Sequence, residues 1–433
     1  MNQCKICIVG MGYVGLTLAV IMTEKGFEVT GVEVNGEICK QLNKGDPHFH
    51  ENRLDILLKK HINNKLTIRE EVTKEKQDVF IICVGTPISK EKKNPIMDYI
   101  IRSAQTVAES LDENNLVILR STVPIGTTRE IIKPILDKTG KKYRLAFCPE
   151  RTAEGNALKE LVELPQIISG IDEESVNLAS NIFRKIVPTI LEVSSLEAAE
   201  TIKLVNNGYR DLNFAFANEV AIICEVFKMD ALELIRAANF GYPRSNIPVP
   251  GFVGGACLEK DPYILAYSCK KKGYVPELTL NSRKINELLP NYILNKIQKK
   301  ITDLGKRIDG SKIFITGFGF KGEPETNDIR GSPTLELVSG FKQLGCNKIY
   351  GHDFIVKEEL LEKEGIIPVS LIEGFKNADC VIFANNHKKY FTLDIKHYTD
   401  FLNKPAVFVD VWRIFNHNEV KGKDIIYGGF GFD

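Results

Sequence analysis

What the sequence lacks narrows its chemistry before any motif is read. It has no excess of charge: 57 basic residues against 56 acidic ones leave a formal charge of +1, so it carries no electrostatic footprint for nucleic acid or an anionic membrane. An anionic ligand must then be held by local groups. No uninterrupted apolar run is long enough to cross a bilayer. Met1 to Gln3 lead straight into an apolar strand without a basic leader or a small-residue cleavage site, so the expectation is a cytoplasmic protein. Ten cysteines in 433 residues are too sparse for a disulfide framework. Cys4 and Cys7 form a C-x-x-C, but on a predicted strand, where residues three apart point to opposite faces, and no second pair completes a zinc site. The seven histidines are scattered; His48 and His50 share a polar loop beside Pro47 and read as solvated. No metal is expected. Low-complexity tracts and short-period repeats are absent as well.

A chain of this length exceeds one ordinary core and implies two or three domains. Its first third alternates apolar runs with helical patterns: CKICIVG, a helix from about Val14, FEVTGVEV, another helix, DVFIICV, a helix from about Met97, LVILRST and RLAFCPE. Such alternation implies a parallel sheet with helices on both faces and a ligand crevice at the carboxyl ends of the strands. From about Ser195 to Lys228 one long helix is predicted, with apolar positions at Ala199, Ile202, Val205, Phe216, Val220 and Ile223. The segment GYPRSNIPVPGFVGGACLEKD interrupts the helices with glycine and proline, and helical sequence resumes to about Leu304. The charged stretch from Lys306 to Gly310 reads as a linker. Beyond it SKIFITGFGF, a helix from about Ser332, CNKIYGHD, ADCVIFAN and AVFVDVW predict a second α/β lobe.

Gly10, Gly12 and Gly15 form G-x-G-x-x-G between a strand and a helix, with Tyr13 and Val14 inside the turn. Glycine there permits a tight turn and close approach of a pyrophosphate to a helix N-terminus. Glu33 closes the second strand, where a carboxylate would bond the ribose hydroxyls and repel a 2′-phosphate, so NAD is expected rather than NADP. The third and fourth strands end in Cys83-Val84-Gly85-Thr86-Pro87 and Ser121-Thr122-Val123-Pro124, at the edge along which a cofactor would extend.

With these residues the chain resembles the UDP-glucose/GDP-mannose dehydrogenases. The resemblance is carried by GMGYVG at 10–15, VGTP at 84–87, STVPIGTT at 121–128, PERTAEG at 149–155, KLVNN at 203–207, GGACLEKD at 254–261 and GFGFKGEPETNDIRGSP at 317–333. It implies two Rossmann-like doubly wound domains, an NAD-binding one at 1–190 and a nucleotide-sugar-binding one at 306–433. A helical middle at 191–305 joins them, makes a homodimer or larger oligomer and carries catalytic residues. The activity implied is four-electron oxidation of a nucleotide sugar at C6, a step of polysaccharide biosynthesis.

That chemistry needs two hydride transfers and a means of holding the aldehyde between them. An exposed thiol does this, and Cys257 lies in a glycine-flanked turn ahead of Lys260 and Asp261. Lys203 and Asn207 are four apart, so one helical face could donate to the C6 oxygen as charge develops, although a solvated lysine and a surface asparagine would suit the same pattern. The resemblance implies that these two are catalytic, with Asp261 their acidic partner and Glu150 and Thr122 positioning the hydrolytic water. Glu150 and Glu154 share a helical face if PERTAEG turns. The resemblance further places Lys321, Arg413, Gly254 and, across the subunit boundary, Arg244 on the nucleotide sugar, and Arg330 on NAD. The Lys321 to Arg330 segment is about two residues longer than the family pattern, and Arg244 and Arg413 also fit as surface cations. Arg151 follows Glu150 where the UDP-glucose branch usually has phenylalanine, and Tyr209-Arg210-Asp211 replaces a mostly apolar stretch. The reading therefore leans to a UDP-N-acetylhexosamine, with Arg210 facing an acetamido carbonyl. UDP-glucose, then GDP-mannose, are the alternatives. A two-electron hydroxyacid dehydrogenase would need the lysine without the thiol, and a silent nucleotide-sugar binder would need no nucleophile.

Overall fold

The computed structural model describes residues 4–73, 75–420, 422 and 424–432. The expected lead-in at Met1 to Gln3 lies outside them. Contacts gather the chain into two compact units, Met1–Asn207 with Lys260–Val275, and Gly208–Glu259 with Pro276–Asp433. Each contains one sheet.

Among the described residues the first sheet has eight strands: β1 (Lys5–Val9), β2 (Glu28–Val32), β3 (Leu66–Arg69), β4 (Val79–Ile82), β5 (Leu116–Leu119), β6 (Arg144–Phe147), β7 (Gln166–Gly170) and β8 (Ile190–Glu192). Their order is 3-2-1-4-5-6-7-8, so the order reverses beside β1, the position at which doubly wound folds bind ligands. Period-two alternation puts Ile6 and Ile8 into one apolar cluster and Cys7 and Val9 into another on the opposite face. Cys4 packs with the first cluster and Cys7 with the second, as expected for residues three apart on a strand. Burial pushes the Cys7 thiol up to about 12.

Three features depart from the sequence reading. The sheet is not wholly parallel, because β7 runs antiparallel to β6. The short strands β3, β7 and β8 were not separable from their loops by pattern. His48 and His50, read as solvated, are half-buried, with His48 edge-on to Phe49.

In the second unit six parallel strands stand in the order β11-β10-β9-β12-β13-β14. They are β9 (Ile313–Thr316), β10 (Ile349–His352), β11 (Ile367–Pro368), β12 (Cys380–Phe383), β13 (Ala406–Asp410) and β14 (Ile425–Gly429). Ile313 and Ile315 face one core cluster and Phe314 the other. Residues 306–310 are no loose tether: Ile308–Gly310 form a 3-10 turn, and Lys306 donates to Asp379 at 2.6 Å and to the Asn403 carbonyl at 2.7 Å.

The long helix spans Leu196–Val226, and the units divide at Asn207 within it. Of its apolar positions Ala199 is buried, but Val205, Phe216 and Ile223 are about half exposed, and Tyr209 is 63% exposed. The helix Glu277–Asp303 follows later in the chain.

Candidate active site

The glycine turn of the first unit divides its three glycines by function. Gly10 has φ +94° and packs on Val84, where an added Cβ would stand 2.9 Å from Cγ1. At Gly15 it would stand 1.8 Å from the Gly10 carbonyl oxygen, so the helix Tyr13–Glu24 can begin here only with glycine. At Gly12 it would meet nothing within 4 Å. The protein's own packing does not require that glycine; a ligand lying over the helix N-terminus would. Glu33 follows β2 directly and accepts from the Met11 N–H at 3.2 Å and the Asn35 N–H at 3.0 Å, holding a half-buried carboxylate at the turn. Thr86 is buried, and its Oγ1 meets no hydrogen-bond partner among the described residues. An open Gly12, an orphaned Thr86 hydroxyl and a strand-end acid together fit a dinucleotide. Thr122 is half-buried in the turn after β5, and Val14 opens the helix beside Tyr13.

Three buried polar residues of this unit, Glu200, Lys203 and Asn207, lie on the long helix. Lys203 and Asn207, one turn apart, are 5% and 6% exposed, which rules out a solvated lysine and a surface asparagine. Lys203 Nζ lies 3.5 Å from Glu150 Oε2. Asn207 donates to Asp261 Oδ2 at 2.6 Å, and Lys260 reaches Asp261 Oδ1 at 2.7 Å. Asp261 is fully buried at the start of the helix Asp261–Lys271. Burial alone would raise the Glu150 carboxyl, but Lys203, hydrogen bonding from Thr152 and the Arg120 guanidinium outweigh it and hold the group below the usual carboxylate range. Glu150 is therefore ionised.

Glu150 and Glu154 do not share a helical face. Residues 150–153 form no regular structure, 154 and 155 turn, and the helix begins only at Ala157. The reason is Glu51, 5% exposed, which accepts from the Tyr13 hydroxyl, from Gly155 N–H at 2.7 Å and from Ala157 N–H at 3.1 Å. One carboxylate thus ties the dinucleotide turn to the strap carrying Glu150, Arg151 and Glu154. Burial, then the Glu51 bond and the charges of Glu154 and Glu150, raise the Tyr13 hydroxyl far above its ordinary value. Arg151, half-buried, donates to the Pro165 carbonyl at 2.5 Å.

In the second unit Cys257 is the one exposed thiol among ten free cysteines, all of them described. Gly254, buried in the same turn, leaves no room for a side chain because Gly331 O would lie 2.1 Å from a Cβ. Arg210 is exposed on the long helix. Arg244 is exposed, as a surface cation would be, and lies over the Tyr242 ring with its Nε 3.1 Å from the hydroxyl. Arg413 is not a surface cation: its side chain is 9% exposed and forks onto Asp230 at 3.0 and 2.9 Å. Arg330 is exposed and paired with Asp328, Nε to Oδ1 at 2.9 Å. Lys321 lies half-buried with its ammonium over the Phe320 ring.

Four residues escaped the sequence reading. Glu51 and Arg283 gave no local signal, since their partners are far away in the chain. Arg120, a charge directly after the apolar strand β5, and Glu200, an acid among the apolar residues of the long helix, were visible as anomalies. A second G-x-G-x-x-G, Gly317, Gly319 and Gly322 after β9, was visible too.

Three sequence profiles of the UDP-glucose/GDP-mannose dehydrogenase family match: the NAD binding domain over residues 4–187, the central domain over 197–288 and the UDP binding domain over 314–417. The UDP-N-acetyl-D-mannosamine dehydrogenase of Campylobacter jejuni is 33% identical over 406 residues, covering 90% of this chain and 97% of that protein. The enzyme of the same name from Methanocaldococcus jannaschii is 34% identical over 423 residues, covering 95% and 93%. Among solved structures, the UDP-D-ManNAc dehydrogenase of Pyrococcus horikoshii superposes with a TM-score of 0.89 at 30% identity, covering 99% of each chain.

Proposed function

Because this chain belongs to the UDP-glucose/GDP-mannose dehydrogenase family, and so is an NAD-dependent nucleotide-sugar dehydrogenase, we propose that its substrate is a UDP-N-acetylhexosamine, with UDP-N-acetyl-D-mannosamine first among them. The sugar is carried by the relatives' names over nearly the whole chain. The chemistry is carried by one observation: a lysine and an amide are withheld from water on one helical face, each against a buried carboxylate.

In this reading Lys203 and Asn207 donate to the C6 oxygen as it gains negative charge, and Asp261 fixes the Asn207 amide with its N–H outward. NAD, held by the Gly10–Gly15 turn, Glu33, Thr86 and Thr122, supplies the hydride acceptor for each of two oxidations. Arg330 joins that set once released from Asp328. After the first oxidation the Cys257 sulfur bonds to the aldehyde carbon while its proton passes to the former carbonyl oxygen. The second oxidation removes hydride from carbon and a proton from that oxygen, leaving a thioester. Water, oriented by the ionised Glu150 and by Thr122, breaks the carbon–sulfur bond and returns the thiol. Arg151, Glu154, Arg210, Gly254, Lys321 and Arg413 hold the nucleotide sugar, with Arg244 reaching it from a second subunit. The division proposed is 1–190 for NAD, 191–305 for dimerisation and catalysis, and 306–433 for the nucleotide sugar. Exposed Val205, Tyr209, Phe216 and Ile223 on one helix support a homodimer or larger oligomer, and ten free thiols support a cytoplasmic setting.

The test is NADH release with UDP-N-acetylmannosamine, UDP-N-acetylglucosamine, UDP-glucose and GDP-mannose. Two NADH per acid with a UDP-N-acetylhexosamine is expected; faster turnover of UDP-glucose would reassign the substrate. Cys257→Ala should lower acid formation by about a thousandfold or more while NAD still binds. Near wild-type acid production by that variant would remove the covalent route.

A further inference from the structure

A guanidinium withdrawn from water demands partners for its donors. Arg283, on the helix Glu277–Asp303, is 1% exposed. Its Nη1 donates to Asp211 Oδ1 at 2.8 Å and to the Leu258 carbonyl at 3.0 Å, and its Nη2 donates to the Val253 carbonyl at 3.2 Å. Those two carbonyls flank Gly254-Gly255-Ala256-Cys257, so one side chain closes the neck of the turn that presents the thiol. The support continues behind it. Asn286 donates to Asp211 Oδ1 at 2.9 Å, Asn218 donates to Asn286 Oδ1 at 2.9 Å, and the Gly251 N–H donates to Asn218 Oδ1 at 2.9 Å. Three backbone groups of the turn are thus tied to buried polar side chains of the second unit, while Cys257 stays exposed.

A buried ion pair is a weak device for stability, since apolar residues of similar volume often do as well. What the fork adds is direction: two N–H bonds diverging from one rigid plane onto two carbonyls, which a lysine's single ammonium does not reproduce. We propose that Arg283 is a positioning residue for the thiol. By fixing the separation of the Val253 and Leu258 carbonyls it fixes where the Cys257 sulfur stands, so that the aldehyde is captured before it escapes. The proposal rests on the reading of Cys257 as the nucleophile.

The experiment uses full-length enzyme, NAD and the UDP-sugar giving the highest NADH yield, with semicarbazide present to trap free aldehyde. In Arg283→Lys the first oxidation should continue with KM for NAD within about twofold, acid formation should fall about 100-fold, as for a reacting group misplaced by an ångström, and trapped aldehyde should become the main product. A merely structural role would lower both oxidations together and leave the aldehyde fraction at the wild-type level; that result overturns the proposal. If Arg283→Lys does not fold, Asp211→Asn carries the test. It keeps an acceptor but loses the charge that orients the fork, so a smaller rise in trapped aldehyde is expected, and no rise overturns the proposal. Cys257→Ala run alongside separates the two ideas, since its forming acid at the wild-type rate refutes the nucleophile itself, whatever Arg283 does.

Discussion

The chain carries the same glycine spacing twice, after the first strand of each sheet, and the two turns are built for different ends. In the first, Gly15 sits on the Gly10 carbonyl, the helix starts at once, and Gly12 faces open space. In the second, every glycine is filled from within: a Cβ at Gly317 would meet Asn385 at 2.4 Å, at Gly319 the Thr326 carbonyl at 2.6 Å and at Gly322 the His387 nitrogen at 2.1 Å. No helix begins until Pro333, so no helix N-terminus stands behind this turn. The strand-end acids differ in the same sense. Glu33 spends one bond on the turn, from Met11 N–H, whereas Asp353 accepts from Phe318 and Gly319 on one oxygen and from Ile355 and Val356 on the other. The second turn satisfies itself; the first leaves groups over. A G-x-G-x-x-G therefore indicates a dinucleotide only where the middle glycine is empty and a helix follows.

The sharpest way to break this contrast is Gly15→Ala. A methyl group 1.8 Å from a backbone oxygen forces the turn apart, so stability should fall by about 3 kcal/mol or more and NAD binding should vanish in calorimetry. Retained binding would show that the turn is not built as described.

Next in size is a comparison of buried acids, one in each unit. Burial pushes Glu200 up to about 7 and Asp410 up to about 6, against hydrogen bonds that pull each down. An unfolded glutamate loses its proton near 4.5, so between that pH and about 7 the folded state binds more protons than the unfolded one, and stability falls as pH rises. For Glu200 this is on the order of 3 kcal/mol. Urea unfolding of Glu200→Gln at pH 5 and pH 7.5 should show a shallower decline than wild type across that window, with the Asp410 share remaining. Parallel declines would place the titration elsewhere.

Gly12→Ala should leave the urea midpoint nearly unchanged, within about 1 kcal/mol, yet weaken NAD by about 30-fold, or 2 kcal/mol, because the methyl group occupies the ligand's side of the turn. A large loss of stability would mean that Gly12 is a packing residue after all. Gly319→Ala should do the reverse and least, destabilising by about 1–2 kcal/mol with NAD affinity unchanged; an altered NAD dissociation constant would erase the distinction between the turns.

Periodicity made the long strands and helices legible, because each apolar strand feeds two cores by alternation and the long helix keeps a buried row through Lys203 and Asn207. The site's chemistry was legible where type and spacing coincide: a thiol between glycines, a lysine and an amide one turn apart. What escaped are residues whose meaning lies in a distant partner. Glu51 and Gly155 are 104 positions apart, and Arg283 and Asp211 are 72 apart; nothing local marks either acid or arginine as buried. Whether the strap at 150–155 turns into a helix was left open by its spacing, because the deciding group, the Glu51 carboxylate, lies outside the segment. Asp211 itself was noticed for being polar, and its use was visible only once the helix Glu277–Asp303 was in place.

The emptiness beside Gly12 bears on how this protein tolerates change. Gly15 and Gly319 would be retained in any library screened for folding, because their replacement is visible in solubility and yield. Gly12 would drift freely in the same library, and the drifted clones would express well and be inert. Screening of variants for robustness alone would thus discard the cofactor's foothold first, and a high recovery of folded protein would be the sign of it.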